Sequence, residues 1–401
     1  MFYEIIALLL GLLIGTFTGL FPGIHVNLVS VFLLSASPVL LKFTSPISLA
    51  IFIVSMTITH SFLDFIPSIF LGAPDEESFL SILPGHELLK KGRGYEAVVL
   101  ALYRSLTALL IILIFIPIFI FILPFVYKSI TPLIPYLLIF ISFFLIFREE
   151  NFLSSLIIFL SAGFLGLVTF NLPIKEPLLP LLTGLFGSSA LIISLRDKSS
   201  KMVKQKISEL KKIRLSKKQF LKSSLAASIS APLCSFLPGI GSGHAATIGS
   251  ELFQQDNRSF LFLIGAINTI VSALSFITVY SINKTRSGTA VAIKEILKSI
   301  SVQNLIAIII TIFLSSIFAF FIGIKIAKIA AQNINKINYK TLTIITLLVL
   351  LIVNLSFSNL LGIIVLISAT SLGVFTILSN SRRINLMACL LVPSIFFYLV
   401  N

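Results

Sequence analysis

Long uncharged apolar runs recur along the chain and predict helices that span a membrane. A helix needs about 20 mainly apolar residues to cross the hydrocarbon core of a bilayer. Runs of that size are Ser105–Tyr127, Ser129–Phe147, Asn151–Ile174, Pro177–Leu195, Ser259–Asn283 and Ser299–Ile324. The runs are continuous and do not alternate, which favours helices over a β-barrel. The sequence therefore predicts an all-α polytopic membrane protein.

Further spans are predicted outside these runs. Thr341–Ser381 is long enough for two spans and carries a polar turn near residues 354–359, and Ile384–Asn401 is the last predicted span. Additional apolar segments lie at Ile5–Phe21, Pro46–Phe70 and Ser223–Leu237. The total is roughly ten to twelve transmembrane helices. Residues 1–4 lack a basic region, so no cleavable signal peptide is expected.

Composition supports this prediction and charge gives an orientation. The chain is 57% hydrophobic and 11% charged, whereas soluble proteins carry about 25% charged residues. The net charge of +15 comes mainly from basic clusters between spans, which is typical of cytoplasmic loops and not of nucleic-acid binding. We predict a multi-pass protein of the cytoplasmic membrane, with segments 90–93, 196–222, 325–340 and 382–383 cytoplasmic.

The basic segment 196–222 divides the chain into a first transmembrane half, 1–195, and a second half, 223–401. Apolar residues lie among its lysines. They leave two interpretations open, a basic helix on anionic membrane lipid or a solvated linker. In the first half, Gly11, Gly15 and Gly19 recur at every fourth position and predict close helix packing.

The two halves share a motif. Pro22-Gly23-Ile24 and Pro238-Gly239-Ile240 each follow a hydrophobic helix. Proline removes a backbone donor and glycine frees the backbone, so each motif should break its helix. Paired interruptions at corresponding positions indicate the binding site of a transporter built from two repeats. The first helix begins without Lys or Arg and the second begins at basic Lys222, which favours inverted repeats.

Three stretches carry a family resemblance. They are Gly19–Ile24, Leu71–Pro74 followed by Leu83–Gly94, and Phe236–Ala246, with weaker similarity at Leu181–Phe186 and Gly265–Thr269. The chain resembles the large membrane subunit (permease) family of the tripartite tricarboxylate transporters, as a divergent and shortened member. The resemblance implies transport of a carboxylate, with a small membrane subunit and a solute-binding protein as partners. The chain departs from the family at Pro84-Gly85-His86, at Asp75-Glu76-Glu77 and around Asn268. We therefore do not infer from the resemblance that the substrate is a tricarboxylate.

The helix interruptions are the predicted substrate site. A helix that restarts after Pro-Gly presents unpaired N–H groups, and its dipole favours an anion there. Glycines allow close backbone approach, and hydroxyls add donors. The predicted substrate-binding residues are Pro22, Gly23, His25, Asn27, Pro238, Gly239, Gly241, Ser242, Gly243, His244 and Thr247. The alternative is that Pro-Gly makes structural kinks and the polar residues only cap them.

Ionisable and amide side chains within the spans are candidates for ion coupling. His60 and Asp64 are four residues apart on one helical face and can interact. We predict that Asp64, His60, Asn268 and Asp75 include the residues that couple transport to H⁺ or Na⁺. A buried structural pair is the alternative for His60 and Asp64, and a capping or solvated role is the alternative for Asp75.

The predicted function is a secondary transporter, a permease that moves a small organic anion by gradient-coupled alternating access. No HExxH, P-loop or GxSxG motif occurs, so no enzymatic activity, metal site or cofactor is predicted. The alternatives are an intramembrane enzyme that acts on a lipid or peptide, and a scaffold or channel that does not couple transport. A homo-oligomer is left open.

Overall fold

The computed structural model describes residues 2–21, 26–72, 79–147, 149, 151–196, 203–237, 241–334 and 339–400. The first helices are α1 (Phe2–Leu20), α2 (Val26–Leu40), α3 (Pro46–Leu63), α4 (Phe65–Leu71), α5 (Ile82–Lys90), α6 (Gly94–Phe121), α7 (Leu123–Ile130), α8 (Ile134–Phe147) and α9 (Phe152–Asn171). The others are α10 (Leu178–Leu182), α11 (Ser189–Arg196), α12 (Lys217–Phe236), α13 (Ser242–Leu252), α14 (Asn257–Ile282), α15 (Gly288–Leu297), α16 (Val302–Asn333), α17 (Tyr339–Leu378) and α18 (Ala388–Val400). These described residues contain no β-strand, which confirms the all-α class.

Nine helical segments in the described part of the chain are long and apolar enough to cross a membrane. The pairs α3–α4 and α7–α8 each count as one of them. Three features account for the larger number predicted from the sequence. Asn359 interrupts α17 with a positive φ of 54°, as the polar turn predicted, but α17 contributes one segment to the nine. The apolar segment Leu178–Ile193 is shorter than a full span, and α12, which contains most of the predicted span Ser223–Leu237, is not among the nine.

Two central segments, α3–α4 and α14, are enclosed by the rest of the protein. In each, 94% of the residues in the apolar window are buried, compared with 33–44% in the other seven spans. Helices α1 and α16 pack on α3, and helices α12 and α6 pack on α14. Because they are shielded from lipid, the central segments can carry many polar side chains. The buried ones are Ser48, Ser55, Thr57, Thr59, His60, Ser61, Asp64, Ser68, Ser259, Asn268, Thr269, Ser272, Ser275 and Thr278.

Glycines bring the backbones around these central helices into contact. A Cβ on Gly15 of α1 would lie 2.5 Å from the Met56 carbonyl oxygen of α3. A Cβ on Gly265 of α14 would lie 2.4 Å from the Ala101 carbonyl oxygen of α6. Small residues permit such close approach between membrane helices, so the predicted packing role of the α1 glycines is confirmed.

The described part of the basic linker lies against the corner between α5 and α6. The side chain of Gln205 accepts a hydrogen bond from the Gly94 N–H at 2.8 Å and donates one to the Leu89 carbonyl at 3.0 Å. The Lys206 N–H donates to the Gly92 carbonyl at 2.8 Å. Residues 203–209 therefore run without helical structure, and the basic-helix interpretation is wrong for them. The domain boundaries proposed around this linker remain a prediction.

We expect Gly265→Val to destabilise the folded protein by about 1–3 kcal/mol, the usual cost of overpacking a tight interior. The added carbons would meet the backbone of α6, which cannot move without displacing that helix from α14. Thermal melting of the purified protein in detergent measures the effect. Gly241→Ala is the matched control, because a Cβ there makes an ordinary contact of 3.7 Å with the Arg286 side chain. Equal melting temperatures for the two variants would contradict the packing.

Candidate functional site

A narrow polar cleft lies where α2 begins, between α3, α14 and the loop before α15. Its lining residues are Val26, Asn27, Thr57, His60, Ser61, Ser272, Ser275, Arg286, Ser287 and Thr289. The cavity volume is about 10 Å³, which is close to the minimum that holds one water molecule. The cleft is thus a polar site between helices of both halves of the chain, and it is closed to a larger molecule in this conformation.

Asn27 joins two helix N-termini at this cleft. It is the second residue of α2, and its Oδ1 accepts a hydrogen bond from the Thr289 N–H in the first turn of α15 at 3.4 Å. Ser287 caps α15 by accepting from the Ala290 N–H at 3.2 Å. The N-termini of α2 and α15 therefore converge, and both helix dipoles favour negative charge in the cleft.

Arg286 supplies a full positive charge to the same place. It is half-buried, and the described residues place no carboxylate in an ion pair with it. Its Nη2 lies 3.7 Å from the position that a Cβ on Gly241 would occupy, so the side chain also reaches the start of α13. Arg286 thus lies between the start of α2 and the start of α13.

Sequence reasoning missed Arg286 because the residue lies in an ordinary connecting loop. One signal could have found it. The positive-inside pattern places the basic clusters on one side of the membrane, and span counting puts Arg286 on the other side, where Lys and Arg are less frequent. A basic residue on that side, immediately before a helix, is a candidate ligand for an anion.

The start of α13 is built around His244. The Gly241 N–H donates a hydrogen bond to His244 Nδ1 at 3.1 Å, so the imidazole caps the helix from within. Thr247 donates from its hydroxyl to the Gly243 carbonyl at 3.1 Å. Ser242, Gly243 and His244 are buried. These contacts are compatible with side chains that only cap the helix and also with side chains that bind a substrate.

A second polar contact joins the two central helices deeper in the bundle. The Asn268 side-chain amide donates to Asp64 Oδ2 and to the Ser61 carbonyl, at 3.4 Å in each case. Asp64 and Asn268 are both buried, and Asn268 Oδ1 accepts no hydrogen bond from the described residues. His60, one turn before Asp64, lies 3.1 Å from the Thr18 hydroxyl through Nδ1. An amide donor of α14 and the Asp64 carboxylate, between α3 and α4, therefore meet in the interior of the bundle.

His86, in the stretch Leu83–Gly94 that carries part of the family resemblance, lies on α5 outside the spans. Burial of its ring, with smaller contributions from the positive charges of Lys90 and Arg383, lowers the pKa of His86 to about 4. The imidazole is therefore neutral at physiological pH. It does not add to the basic charge at this end of the protein.

Several predicted site residues lie outside the described residues. They are Pro22, Gly23, His25, Asp75, Pro238 and Gly239. Of the others, the structure brings His60 and Asn27 to the cleft and brings Asp64 and Asn268 together. The roles of all of these residues remain predictions. Within the described ranges, no three His, Cys, Asp or Glu side chains are grouped so that they could hold a metal ion.

The nine apolar helical segments of the described residues, two of them enclosed by the rest, define a multi-pass membrane protein. The chain belongs to the tripartite tricarboxylate transporter TctA family, whose model matches residues 5–388. It is also 33% identical over 413 residues to an uncharacterized protein of Methanocaldococcus jannaschii, with 99% of each chain covered. No solved structure matches it. The family is one of transporters and not of enzymes, and its members work with partner subunits.

We expect Arg286→Gln to lower the initial rate of organic-anion uptake by about tenfold or more, since a charged hydrogen bond contributes about 1.5–3 kcal/mol. The measurement is uptake of labelled citrate, succinate and related acids into proteoliposomes. Lys284→Gln is the matched control, because Lys284 is exposed in the same loop and its loss should change the rate less than about twofold. Equal rates in the two variants would remove Arg286 from the site.

Proposed function

We propose that this permease moves a small organic anion, most simply a carboxylate, across the cytoplasmic membrane by gradient-coupled alternating access. Arg286 is the observation that carries the proposal. A half-buried arginine without an acidic partner in the described residues leaves a positive charge uncompensated. A carboxylate compensates that charge and can accept two parallel hydrogen bonds from the guanidinium group.

The surroundings of Arg286 suit the same ligand. The N-termini of α2 and α15 add positive dipole ends, and Thr57, Ser272 and Ser275 add hydroxyl groups to the cleft wall. In this conformation the Thr57 hydroxyl donates to the Ile53 carbonyl and the Ser275 hydroxyl donates to the Ser272 carbonyl, each at 2.7 Å. Each hydroxyl must therefore turn from its carbonyl to donate to a carboxylate oxygen. The volume of about 10 Å³ means that the cleft must widen for a substrate to enter, which is what alternating access requires.

The order of elements supports two repeated halves. In the first half α1 packs on α3, a short helix α5 follows, and α6 comes next; in the second half α12 packs on α14, and α15 and α16 follow. Each central helix also packs against the long helix of the other half, α3 with α16 and α14 with α6. We infer inverted repeats, because only the second set begins at the basic linker. Rocking of such repeats exposes a central site to each side in turn.

We propose that Asp64 and Asn268 couple transport to H⁺ or Na⁺. In the proton version, Asp64 takes up and releases a proton as its surroundings change. In the sodium version, the Asp64 carboxylate and the Asn268 Oδ1 are ligands of the ion, because Na⁺ prefers oxygen. Asp75 lies outside the described residues, and its role is proposed from the sequence alone.

We further propose that a small membrane subunit and a solute-binding protein work with this chain, as the tripartite family suggests. The basic segments 90–93, 196–222, 325–340 and 382–383 are assigned to the cytoplasmic side, where anionic lipid and positive-inside loops belong. The solute-binding protein then approaches from the opposite side. That side carries the loop with Arg286.

We expect Asp64→Asn to abolish uphill accumulation while exchange of labelled for unlabelled substrate continues. Asparagine resembles a protonated aspartate, so the carrier can still bind and reorient but cannot bind and release the coupling proton. Proteoliposomes with an imposed pH gradient or Na⁺ gradient measure accumulation, and counterflow measures exchange. Asp256→Asn is the control, because Asp256 is an exposed N-cap residue and asparagine caps a helix equally well.

Three results would count against this proposal. Transport that needs neither gradient would indicate a channel, and the absence of transport for every anion would remove the substrate class. Accumulation by Asp64→Asn equal to that of the unmodified protein would remove Asp64 from coupling. The response to Na⁺ at constant pH then separates the two ions, since the sodium version also predicts weaker Na⁺ dependence in Asn268→Ala.

A further inference from the structure

The cleft at Arg286 holds one permanent positive charge. Among the described residues that line it, Arg286 is the single Lys or Arg side chain. The helices around the cleft, together with the Pro-Gly motifs that precede two of them in the sequence, contain no Lys or Arg. These parts of the chain are residues 22–40, 46–71, 238–252 and 259–282. The cleft therefore carries positive charge for one carboxylate.

A second carboxylate in the cleft would lack such a partner. Beyond the cleft, the central segment α3–α4 adds a buried acidic residue, Asp64, one turn after His60, and adds no basic residue. A buried charge without a partner is costly, and the low dielectric of the interior strengthens its repulsion by charges of the same sign. A substrate with one carboxylate is therefore favoured over a substrate of the same length with two.

Three hydroxyl groups of the cleft wall already donate to the backbone of their own helices. Thr57, Ser61 and Ser275 each donate to a carbonyl three or four residues earlier, at 2.7, 2.9 and 2.7 Å. All three side chains are buried. A hydroxyl group has one proton and two acceptor lone pairs. With its proton engaged, each of these oxygens can still accept a hydrogen bond.

These three oxygens suit the hydroxyl groups of a substrate better than its carboxylate. A carboxylate oxygen accepts and does not donate, so a cleft hydroxyl must leave its backbone carbonyl to bind one. A substrate hydroxyl donates, and the cleft oxygens can bind it without any rearrangement. A hydrocarbon chain in the same place would remove water from the oxygens without replacing its hydrogen bonds, which costs free energy.

We propose that the cleft selects a small monocarboxylate that carries several hydroxyl groups. Its carboxylate pairs with Arg286, and its hydroxyl groups donate to the oxygens of Thr57, Ser61 and Ser275. Arg286 lies in the loop before α15, whereas the three hydroxyls lie on α3 and α14, so the two ends of the substrate have partners on different elements. The inference rests on the proposed transport of an organic anion and narrows the class of that anion.

Four acids with four-carbon chains test the two parts of the proposal separately. Threonate has one carboxylate and three hydroxyls, and butyrate has one carboxylate and no hydroxyl. Tartrate has two carboxylates and two hydroxyls, and succinate has two carboxylates and no hydroxyl. Isothermal titration of the purified, unmodified protein in detergent measures binding at pH 8, above the usual titration range of histidine. The dissociation constant of threonate should be at least about tenfold lower than that of each other acid, as expected when one charge or several hydrogen bonds are left unpaired.

Thr57→Val tests the placement of the hydroxyl groups, because valine has nearly the same shape and lacks the oxygen. The variant should bind threonate about threefold or more weakly, the usual contribution of a neutral hydrogen bond, and should not bind butyrate more weakly. Thr278→Val is the matched control. Thr278 is also a buried threonine on a central helix and donates to the Leu274 carbonyl at 2.9 Å, but it is not among the described residues that line the cleft. Neither affinity should change in the control.

The outcomes separate this inference from the proposed function. Tighter binding of threonate than of the three other acids, with the loss confined to Thr57→Val, supports the inference. Equal or tighter binding of a dicarboxylate or of butyrate overturns it, and so does an equal loss of threonate and butyrate binding in Thr57→Val. Uptake of labelled succinate by proteoliposomes would then leave organic-anion transport standing. The absence of binding for all four acids overturns the inference, and the absence of uptake for every anion overturns the proposed function as well.

Discussion

The lipid environment imposes the constraint on which the rest of this structure depends. A backbone N–H or carbonyl that faces hydrocarbon without a partner is very costly, so an interrupted helix must be enclosed by protein. Helices α3–α4 and α14 provide that enclosure, because they lie at the centre and α1 and α12 pack directly on them. Helices α2, α13 and α15 pack against these central helices, and polar side chains of α3 and α14 line the cleft there.

The same constraint explains what the sequence could predict. Hydropathy located the spans because lipid selects apolar side chains over whole helices, and the polar turn before Asn359 marked a real break. Contacts between residues far apart in the chain could not be predicted from the sequence. Arg286 reaches Gly241 across 45 residues of chain, and the course of the linker depends on the hydrogen bonds of a single side chain, Gln205. The Pro-Gly motifs lie outside the described residues, so their part in the site remains a prediction.

The surroundings of three arginines separate structural roles from a functional one. Arg104 is fully buried, donates to the Ser224 hydroxyl at 2.8 Å and lies 4.4 Å from the centre of the Phe262 ring. Arg383 donates to the Leu185 carbonyl at 3.2 Å and is also buried. These guanidinium groups are held by neutral groups of the protein. Arg286 is the one of the three that is partly exposed and lies beside two helix N-termini.

Helix α13 connects the cleft at Arg286 with the ion pair at Arg382. One end starts beside Arg286, and near the other end Glu251 lies 3.2 Å from Arg382. A short helix moves nearly as a rigid rod, because its internal hydrogen bonds are costly to break. Under the proposed transport function, a displacement of one end of α13 therefore displaces the other end as well. The eleven residues of α13 are the shortest described path along the chain between the two ends.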